Sequence, residues 1–428
     1  MARTTRARKR WTVMVYLAGD NDLDRDGVAD LEEMKTVGST RDVSVVAQFD
    51  RSGKKRLTNR YVLRKGTSLD EDVVTALGET NTGDPAVLGD FVTWAVTAHP
   101  AERYMLIIWN HGAGWDDANL YEDDAFSSAA PPVVRKGVRI TRGDARAPVT
   151  MSTARAAFRR GRRALFGPTM STLLSARAIA FDDQAKDYLD SRELQRVLGH
   201  IRRTLKRKID ILGFDACLMS MVEVAYQVRD AAWLTCGSEE EEPNEGWPYG
   251  AILKALAAKP AMTPAALAKL IVKKYLASYT AEDGVTLSAV DLSAVEALAR
   301  AVNGLGRALT AALEDSAARD GVVAVRAQVQ EYTAPYDQYC DLADLCALLA
   351  RRVRSPDVKP ACDAVRAALD RTIIAAGLKG RQVAHSHGIA VYFPKRTLSP
   401  LYAILDFARK GAWAAFLRDY TDRLSRRR

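Results

Sequence analysis

The chain has 428 residues, of which 48% are hydrophobic and 27% are charged. These shares are ordinary for a soluble globular protein, and they exclude collagen-like, coiled-coil and wholly disordered classes. The length allows two or three domains, or one large domain with appendages. No run of about 18 apolar residues is present, so we expect no transmembrane helix.

The net charge of +9 is unevenly distributed along the chain. Residues 1–10, 135–163 and 423–428 carry net charges of +5, +9 and +4, which leaves −9 on the rest. An acidic body attracts cationic ligands, whereas the basic segments suit nucleic acid or an acidic partner. The basic cluster contains a single aromatic residue, Phe158. This counts against base stacking, so we do not favour nucleic-acid binding.

The cysteines and the amino terminus indicate the compartment. The five cysteines, Cys217, Cys236, Cys340, Cys346 and Cys362, contain no CxxC pair. Their odd number and scattered positions argue against a disulfide scaffold or a zinc framework. The amino terminus is basic but lacks the apolar core of a signal peptide. We therefore expect a cytoplasmic protein with one reactive cysteine at most.

Apolar strands alternate with helices in the first part of the chain. The predicted elements are a strand at 11–19, a helix at 26–38, a strand at 43–49, an edge strand at 60–63, a helix at 85–98 and a strand at 104–109. Asp84 and Pro85 are a good helix start, because proline is tolerated in the first turn. The continuous apolar strands are typical of a sheet that is buried on both faces.

Residues 117–180 interrupt this pattern, because they are rich in Ala, Pro, Gly and Arg and only weakly periodic. We predict a flexible insert there. The elements predicted after it are a helix from 191, strands at 209–214 and 233–237 with a helix at 220–232 between them, strands near 285–291 and 388–393, and a closing helix from 401. The alternation predicts an α/β fold with a mainly parallel sheet.

Two strand ends carry candidate catalytic residues. His111 follows the strand at 104–109, and Cys217 follows the strand at 209–214. Ligand sites of parallel sheets lie at the carboxyl ends of the strands. A helix starting after Cys217 would lower the pKa of its thiol, and the backbone N–H groups of Gly112 and Cys217 would suit an oxyanion hole. On spacing alone, a buried cysteine and an ordinary loop histidine remain the alternative.

Five segments, taken together, resemble the clostripain family of cysteine peptidases, which is related to caspases, gingipains and separase. The segments are VMVYLAGDNDLD (13–24), YMLIIWNHGAGW (104–115), DILGFDACLMSMVEVAYQV (210–228), SEEEEPNEGWPY (238–249) and HGIAVYFP (387–394). They occur in order from about residue 11 to 420, on both sides of the insert. The resemblance implies a caspase-like, mainly parallel sheet flanked by helices. It leads us to expect a basic arm at 1–10, a catalytic core at 11–260 and a helix-rich part at 261–428 that completes the fold.

The resemblance also implies a reaction and its residues. His111 and Cys217 correspond to the catalytic dyad, and the amides of Gly112 and Cys217 to the oxyanion hole. Asp215 would lie in the S1 pocket and bind an arginine or lysine side chain of a peptide or protein substrate. Glu245 is a candidate for a second wall of that pocket, whereas we expect residues 239–242 to form a solvated loop. The alternative function is a catalytically silent module whose basic tails bind nucleic acid or an acidic partner.

Residues 22–33 match the EF-hand spacing through Asp22, Asp24, Asp26 and Glu33. A predicted strand precedes this segment, whereas an EF-hand needs a helix there. The alternative is therefore that Asp24 or Asp26 caps a helix. We expect no required cofactor and keep calcium as the one candidate ligand.

The predicted insert is itself rich in the residues after which such an enzyme would cut. Its basic cluster contains Arg135, Lys136, Arg139, Arg142, Arg146, Arg155, Arg159, Arg160, Arg162 and Arg163. Flexible loops are preferred sites of proteolysis, and the resemblance implies maturation by cleavage of such a linker. We therefore expect autocleavage between Arg135 and Arg163. The alternative is a permanent basic loop that docks an acidic partner.

Overall fold

The computed structural model describes residues 8–53, 57–112, 114–115, 179–182, 185, 187–332, 338–409 and 411–425. The ten candidate cleavage positions and nearly all of the predicted insert lie outside these residues. Within the described part of the chain, no helix is both long and apolar enough to cross a membrane.

A large sheet forms the centre of the protein, and two small sheets accompany it. The strands are β1 (Lys9–Gly19), β2 (Val43–Arg51), β3 (Thr58–Val62), β4 (Val73–Gly78), β5 (Ala101–Trp109), β6 (Ile179–Asp182), β7 (Asp187–Leu189), β8 (Ile209–Asp215), β9 (Ala232–Gly237), β10 (Val285–Asp291), β11 (Glu331–Tyr332), β12 (Tyr339–Asp341), β13 (Ile373–Lys379) and β14 (Ala390–Tyr392).

The large sheet has nine strands in the order β13-β10-β9-β8-β5-β1-β2-β3-β4. The five strands from β9 to β2 are parallel, and the pairs at both edges are antiparallel. The small sheets contain β11, β12 and β14, and β6 and β7. The predicted mainly parallel α/β fold is therefore confirmed.

Helices flank the sheet. The described helices are α1 (Asp24–Lys35), α2 (Leu69–Asp72), α3 (Pro85–Ala98), α4 (Ser191–Leu205), α5 (Val222–Val228), α6 (Tyr249–Ala258), α7 (Pro264–Ser278), α8 (Val295–Ala312), α9 (Ser316–Gln328), α10 (Leu342–Arg352), α11 (Val358–Thr372), α12 (Asp406–Arg409) and α13 (Ala412–Ser425). Asp84 caps α3 by accepting a hydrogen bond of 2.8 Å from the backbone N–H of Ala86, as its sequence predicts.

The sheet is buried on both faces because its apolar residues alternate between two cores. In β1, Met14 and Tyr16 pack into one core, whereas Val13, Val15 and Leu17 pack into the other. Adjacent side chains of a strand point to opposite faces, so a continuous apolar run fits a strand covered on both sides. Among the helices, α3, α4 and α8 cover the first face, and α1, α6 and α7 cover the second.

Several predicted elements differ from the observed ones. The strand predicted as an edge is β3, which pairs with β4 as well as β2. The sequence analysis missed β4, because its inner positions are only half-buried and its pattern is weak. The helix predicted at 220–232 is the shorter α5, and the strand predicted near 388–393 is β14, in a small sheet. The predicted arm ends early, since Lys9 already begins β1.

The carboxyl-terminal part of the chain completes the large sheet. Its strands β10 and β13 extend the sheet beyond β9. It also contributes β12 and β14, whose neighbour Met221 forms an isolated bridge to Ala390. Residues near 217–221 are therefore held between the parallel strands and the carboxyl-terminal elements.

Candidate active site

The strand register brings the two predicted catalytic residues to one edge of the sheet. Trp109 of β5 is the register partner of Asp215 of β8. His111 and Cys217 each follow two residues later, and both are buried, with 7% and 1% of their surface exposed. Parallel neighbouring strands end at the same edge, so these two side chains reach the same region of the protein.

Gly112 lies directly against the backbone of Cys217. A Cβ atom on Gly112 would be 2.6 Å from the carbonyl oxygen of Cys217 and 2.9 Å from the Cβ of Ala216. Any larger residue would clash there, so the close approach of the two strand ends requires glycine. This approach places the two backbone segments proposed for the oxyanion hole side by side.

His111 has an acidic partner that the sequence analysis assigned to another site. Its Nε2 atom is 2.8 Å from Oδ1 of Asp22, in the turn between β1 and α1. Burial alone would raise the pKa of Asp22, but the hydrogen bond and charge of His111 bring it below the ordinary value. A carboxylate at this distance orients the imidazole and stabilises its protonated form.

The thiol of Cys217 is covered by the segment from Ser238 to Pro243. The backbone N–H of Glu242 donates a hydrogen bond of 3.2 Å to Sγ of Cys217. Glu240 and Glu241 are buried as well. The Cys217 thiol is therefore buried beneath this covering segment in the structure.

The backbone beside Cys217 differs from the expected helix start. Helix α5 begins at Val222, after Met221 as its N-cap, so Cys217 lies five residues before the first helical position. The prediction that a helix N-terminus lowers the thiol pKa is wrong, because that effect is confined to the first turn. Instead, Leu218 has a positive φ of 64°, a conformation that costs a residue with a Cβ about 1–2 kcal/mol. Such strain is concentrated at functional sites.

Asp215 is fully buried at the end of β8. Its Oδ2 atom accepts a hydrogen bond of 2.6 Å from the hydroxyl of Tyr249, the first residue of α6. The backbone N–H of Tyr249 in turn donates to Glu33 of α1, at 2.9 Å. The hydroxyl of Tyr249 therefore fixes the Asp215 carboxylate, and the bond to Glu33 ties Tyr249 to α1.

Glu242 is the second acidic residue near Asp215. Burial raises the pKa of Tyr275 well above its ordinary value, and the charges of Glu242 and Asp215 raise it further. The charges of both carboxyl groups therefore act on the hydroxyl of Tyr275. Glu245, the predicted second wall, is exposed. Glu242, in contrast, is 0% exposed, and the role of Glu245 in the pocket stays a prediction.

The covering segment is not the solvated loop that its four consecutive glutamates predict. Its base is fastened by Thr286, whose Oγ1 accepts hydrogen bonds from the backbone N–H groups of Glu239 and Glu240. The Glu239 side chain accepts a 2.8 Å hydrogen bond from the backbone N–H of Gly388, and the nearby carboxyl group of Asp341 adds to the effect of burial in raising the pKa of Glu239. Partners from β10 and from the turn before β14 therefore replace water around this segment.

The EF-hand spacing does not produce a shared site. Asp22 binds His111, Asp24 makes a bidentate pair with Arg51 at 2.9 Å, and Glu33 accepts from Tyr249. Asp24 and Asp26 lie in the first turn of α1, which has no side-chain cap. Within the described residues, no group of three or more His, Cys, Asp or Glu side chains is arranged to hold a metal ion.

These observations define a site with one thiol, one carboxylate-bound imidazole, two adjacent backbone segments and buried carboxyl groups. The sequence indicated His111, Gly112, Cys217 and Asp215, because they follow apolar strands. It missed Asp22 as the partner of His111, although Asp22 also follows a strand that ends at this edge. Tyr249 and Tyr275 gave no sequence signal, since their contacts depend on how the helices pack.

Comparisons with known proteins agree with this fold. The profile of the clostripain family matches residues 15–126 and 168–420, which is most of the chain. The unmatched residues between these ranges fall inside the predicted insert. Clostripain of Hathewaya histolytica is 28% identical over 241 residues, which cover 51% of this chain and 36% of that protein. The aligned part thus spans about a third of the curated relative.

Solved structures with the same fold cover almost the whole chain. A secreted C11 cysteine protease from Bacteroides thetaiotaomicron, in complex with an irreversible peptide inhibitor, has a TM-score of 0.62 at 20% identity and covers 96% of this chain and 99% of its own. An inactive zymogen C11 protease from Parabacteroides distasonis has a TM-score of 0.63 at 17% identity, with 95% and 99% covered. At these identities the likeness is one of fold.

Proposed function

Because the chain belongs to the clostripain family of cysteine peptidases, we propose that it is a cysteine endopeptidase that cleaves after arginine or lysine. The observation that carries this proposal is the meeting of His111, Gly112 and Cys217 at one edge of the sheet. The three residues come from two neighbouring strand ends. Their arrangement supplies a nucleophile, a proton donor and backbone amides to one substrate carbonyl.

The proposed reaction has two stages. The Cys217 thiolate attacks the carbonyl carbon of the scissile bond, and the amides of Gly112 and Cys217 stabilise the oxyanion. The protonated imidazole of His111 gives its proton to the leaving amine as the carbon–nitrogen bond breaks, which leaves a thioester. Water then attacks the thioester and gives one proton to His111, so that a carboxylic acid is released and the thiolate is restored.

Asp215 supports the proposed specificity. It lies two residues before Cys217 and is fully buried, so its carboxylate is well placed to bind the side chain of the residue before the cleaved bond. A guanidinium or ammonium group pairs strongly with a carboxylate that is shielded from water. Glu242 adds a second buried acidic side chain on the segment that covers Cys217. Peptides or proteins with accessible arginine or lysine are therefore the proposed substrates.

The test is hydrolysis of a fluorogenic arginyl amide by wild type and Cys217→Ala. We expect the substitution to abolish turnover, because no other group replaces the thiolate. Cys236→Ala is the matched control: Cys236 is also fully buried, and burial raises the pKa of its thiol to about 12. Turnover by Cys217→Ala near the wild-type rate would contradict the mechanism. Salt-dependent nucleic-acid binding without turnover would favour the silent module instead.

We also propose maturation by autocleavage between Arg135 and Arg163, which lie outside the described residues. The proposal is supported by the number of basic residues there and by the burial of the Cys217 thiol. Intact mass and denaturing gels of wild type and Cys217→Ala test it. We expect two fragments from wild type and one intact chain from the variant. An intact wild-type chain with full activity would contradict it and favour the docking loop.

A further inference from the structure

We propose that Asp22 is the positioning residue of His111: it binds Nε2, fixes the orientation of the imidazole and leaves proton transfer to Nδ1. This inference rests on the proposed function, because it concerns the same histidine. The proposal adds Asp22 to the pair of His111 and Cys217, so that three side chains from three separate segments take part. The sequence placed Asp22 in a calcium pattern, and its contact with His111 gives it a different role.

The contact itself is close and specific. Oδ1 of Asp22 lies 2.8 Å from Nε2 of His111, and the side chains are 28% and 8% exposed, respectively. A charge-assisted hydrogen bond of this length is about twice as strong as a neutral one. Because the imidazole is nearly buried, the bond is less screened by water than a surface ion pair. Asp22 is thus able to decide which ring nitrogen carries a proton.

The two turns that carry Asp22 and His111 are tied to each other by a pair of asparagines. The Nδ2 of Asn21 donates to Oδ1 of Asn110 at 3.2 Å and to the carbonyl of Ala18 at 3.0 Å. Asn110 Oδ1 also accepts the backbone N–H of His111. Both asparagines are buried, at 6% and 0% exposure. The turn after β1 is therefore fixed against the turn after β5.

The strand register explains why this pairing forms. β1 lies directly beside β5, with Leu17 opposite Trp109. Asp22 follows the end of β1 at Gly19 by three residues, and His111 follows the end of β5 at Trp109 by two. The backbone N–H of Leu23 donates to Asn21 Oδ1 at 2.9 Å, which closes the turn around Asp22. The carboxylate is therefore positioned by the backbone and by buried amides.

The chemical consequence follows from the tautomer. An ionised carboxylate accepts a hydrogen bond from the nitrogen that it contacts, so the Nε2–H of His111 donates to Asp22. Proton exchange with the leaving amine then takes place at Nδ1. The negative charge of Asp22 also stabilises the protonated imidazole that the proposed reaction requires. Without it, the imidazole rotates more freely and loses its proton at lower pH.

The experiment compares wild type, Asp22→Asn and the charge-matched control Asp90→Asn, whose site on α3 is exposed. We expect Asp22→Asn to lower kcat for an arginyl amide roughly 10- to 100-fold, with KM changed less than about 3-fold. The alkaline limb of kcat against pH should move down by about one unit, since the imidazolium loses its partner. The control should match wild type in both respects.

A second measurement separates this inference from the proposed function. His111 is one of five histidines, so its NMR resonance is assigned by its absence in His111→Gln and titrated in wild type and Asp22→Asn. We expect a lower pKa of His111 in the variant. An unchanged His111 pKa, or a kcat loss without any shift of the alkaline limb, would overturn the role of Asp22. Wild type that turns over no substrate but shows the NMR shift would contradict only the peptidase proposal.

Discussion

Two pairs of buried carboxyl groups each include one glutamate of the segment that covers Cys217, and their partners differ. The front pair, Asp215 and Glu242, lies beside the thiol. In the back pair, Glu239 is buried close to Asp341, and burial and then the neighbouring Asp341 carboxyl group raise the pKa of Glu239. Glu242, at one end of the segment, therefore lies beside Cys217, whereas Glu239, at the other end, contacts residues outside the site.

The partners of the two pairs explain this division of roles. Asp341 accepts hydrogen bonds of 2.6 Å from the backbone N–H groups of Asp344 and His387, and it caps α10. Its contact with the ring of His387 raises the pKa of that imidazole. Asp215, in contrast, accepts from the hydroxyl of Tyr249, a neutral group. We therefore expect front substitutions to change catalysis and back substitutions to change stability.

The largest expected effect belongs to Asp215. Asp215→Ala should lower kcat/KM for an arginyl substrate by about 2–5 kcal/mol, because the substrate cation loses its buried partner. This corresponds to roughly 30- to 4,000-fold. A substrate with an uncharged residue at that position should lose much less. Equal losses for both substrates, in parallel assays, would mean that the substitution has damaged the geometry around Cys217.

The back pair should show its effect in the free energy of unfolding. Asp341→Ala removes the cap of α10 and leaves Glu239 and the His387 N–H without their shared partner. We expect a destabilisation of about 3 kcal/mol, measured by urea denaturation. The preference for an arginyl over an uncharged substrate should stay as in wild type. A changed preference in the folded variant would show that the back pair shapes the pocket.

Substitutions of Glu242 and Glu245 test which of the two glutamates contributes to the binding of an arginyl substrate. Glu242→Gln keeps the size of the side chain and removes its charge, so kcat/KM for an arginyl substrate should fall about 10-fold. Glu245→Gln should stay within about 2-fold, since an exposed carboxylate contributes little. Steady-state kinetics of both variants provide the check. The reverse order would favour Glu245 over Glu242 as the second wall of the pocket.

The sequence predicted the positions of His111 and Cys217 better than it predicted the burial of the covering segment, and the reasons are physical. His111 and Cys217 follow continuous apolar strands, and such strands show that their ends are near one sheet edge. Four consecutive glutamates are typical of a solvated loop, and their burial depends on Thr286 and Gly388, which are distant in sequence. The pattern from Asp22 to Glu33 matches calcium loops in spacing alone. The contact between Asp22 and His111 forms because β1 and β5 are neighbouring strands, which the sequence pattern does not reveal.

The smallest expected effect is a change in how stability depends on pH. Burial, and then Asp341, raise the pKa of Glu239 well above its ordinary value of 4.5. A carboxyl group with a raised folded-state pKa stabilises the protein fully below its unfolded pKa, and this contribution is lost as the pH rises towards the folded value. Wild type should therefore lose up to about 1.4 kcal/mol per pH unit through this residue as the pH rises above about 5.

Glu239→Gln should remove that dependence, because the glutamine amide mimics the protonated carboxyl group. Its nitrogen donates to Asp341 at every pH, and its oxygen accepts from the backbone N–H of Gly388. Glu223, whose pKa is raised to about 7 by burial, contributes a slope of the same sign to both proteins and cancels in their difference. The difference in unfolding free energy between the variant and wild type, from urea titrations at pH 5, 6, 7 and 8, should thus grow with pH in favour of the variant. Parallel curves would mean that Glu239 is already ionised in the folded protein.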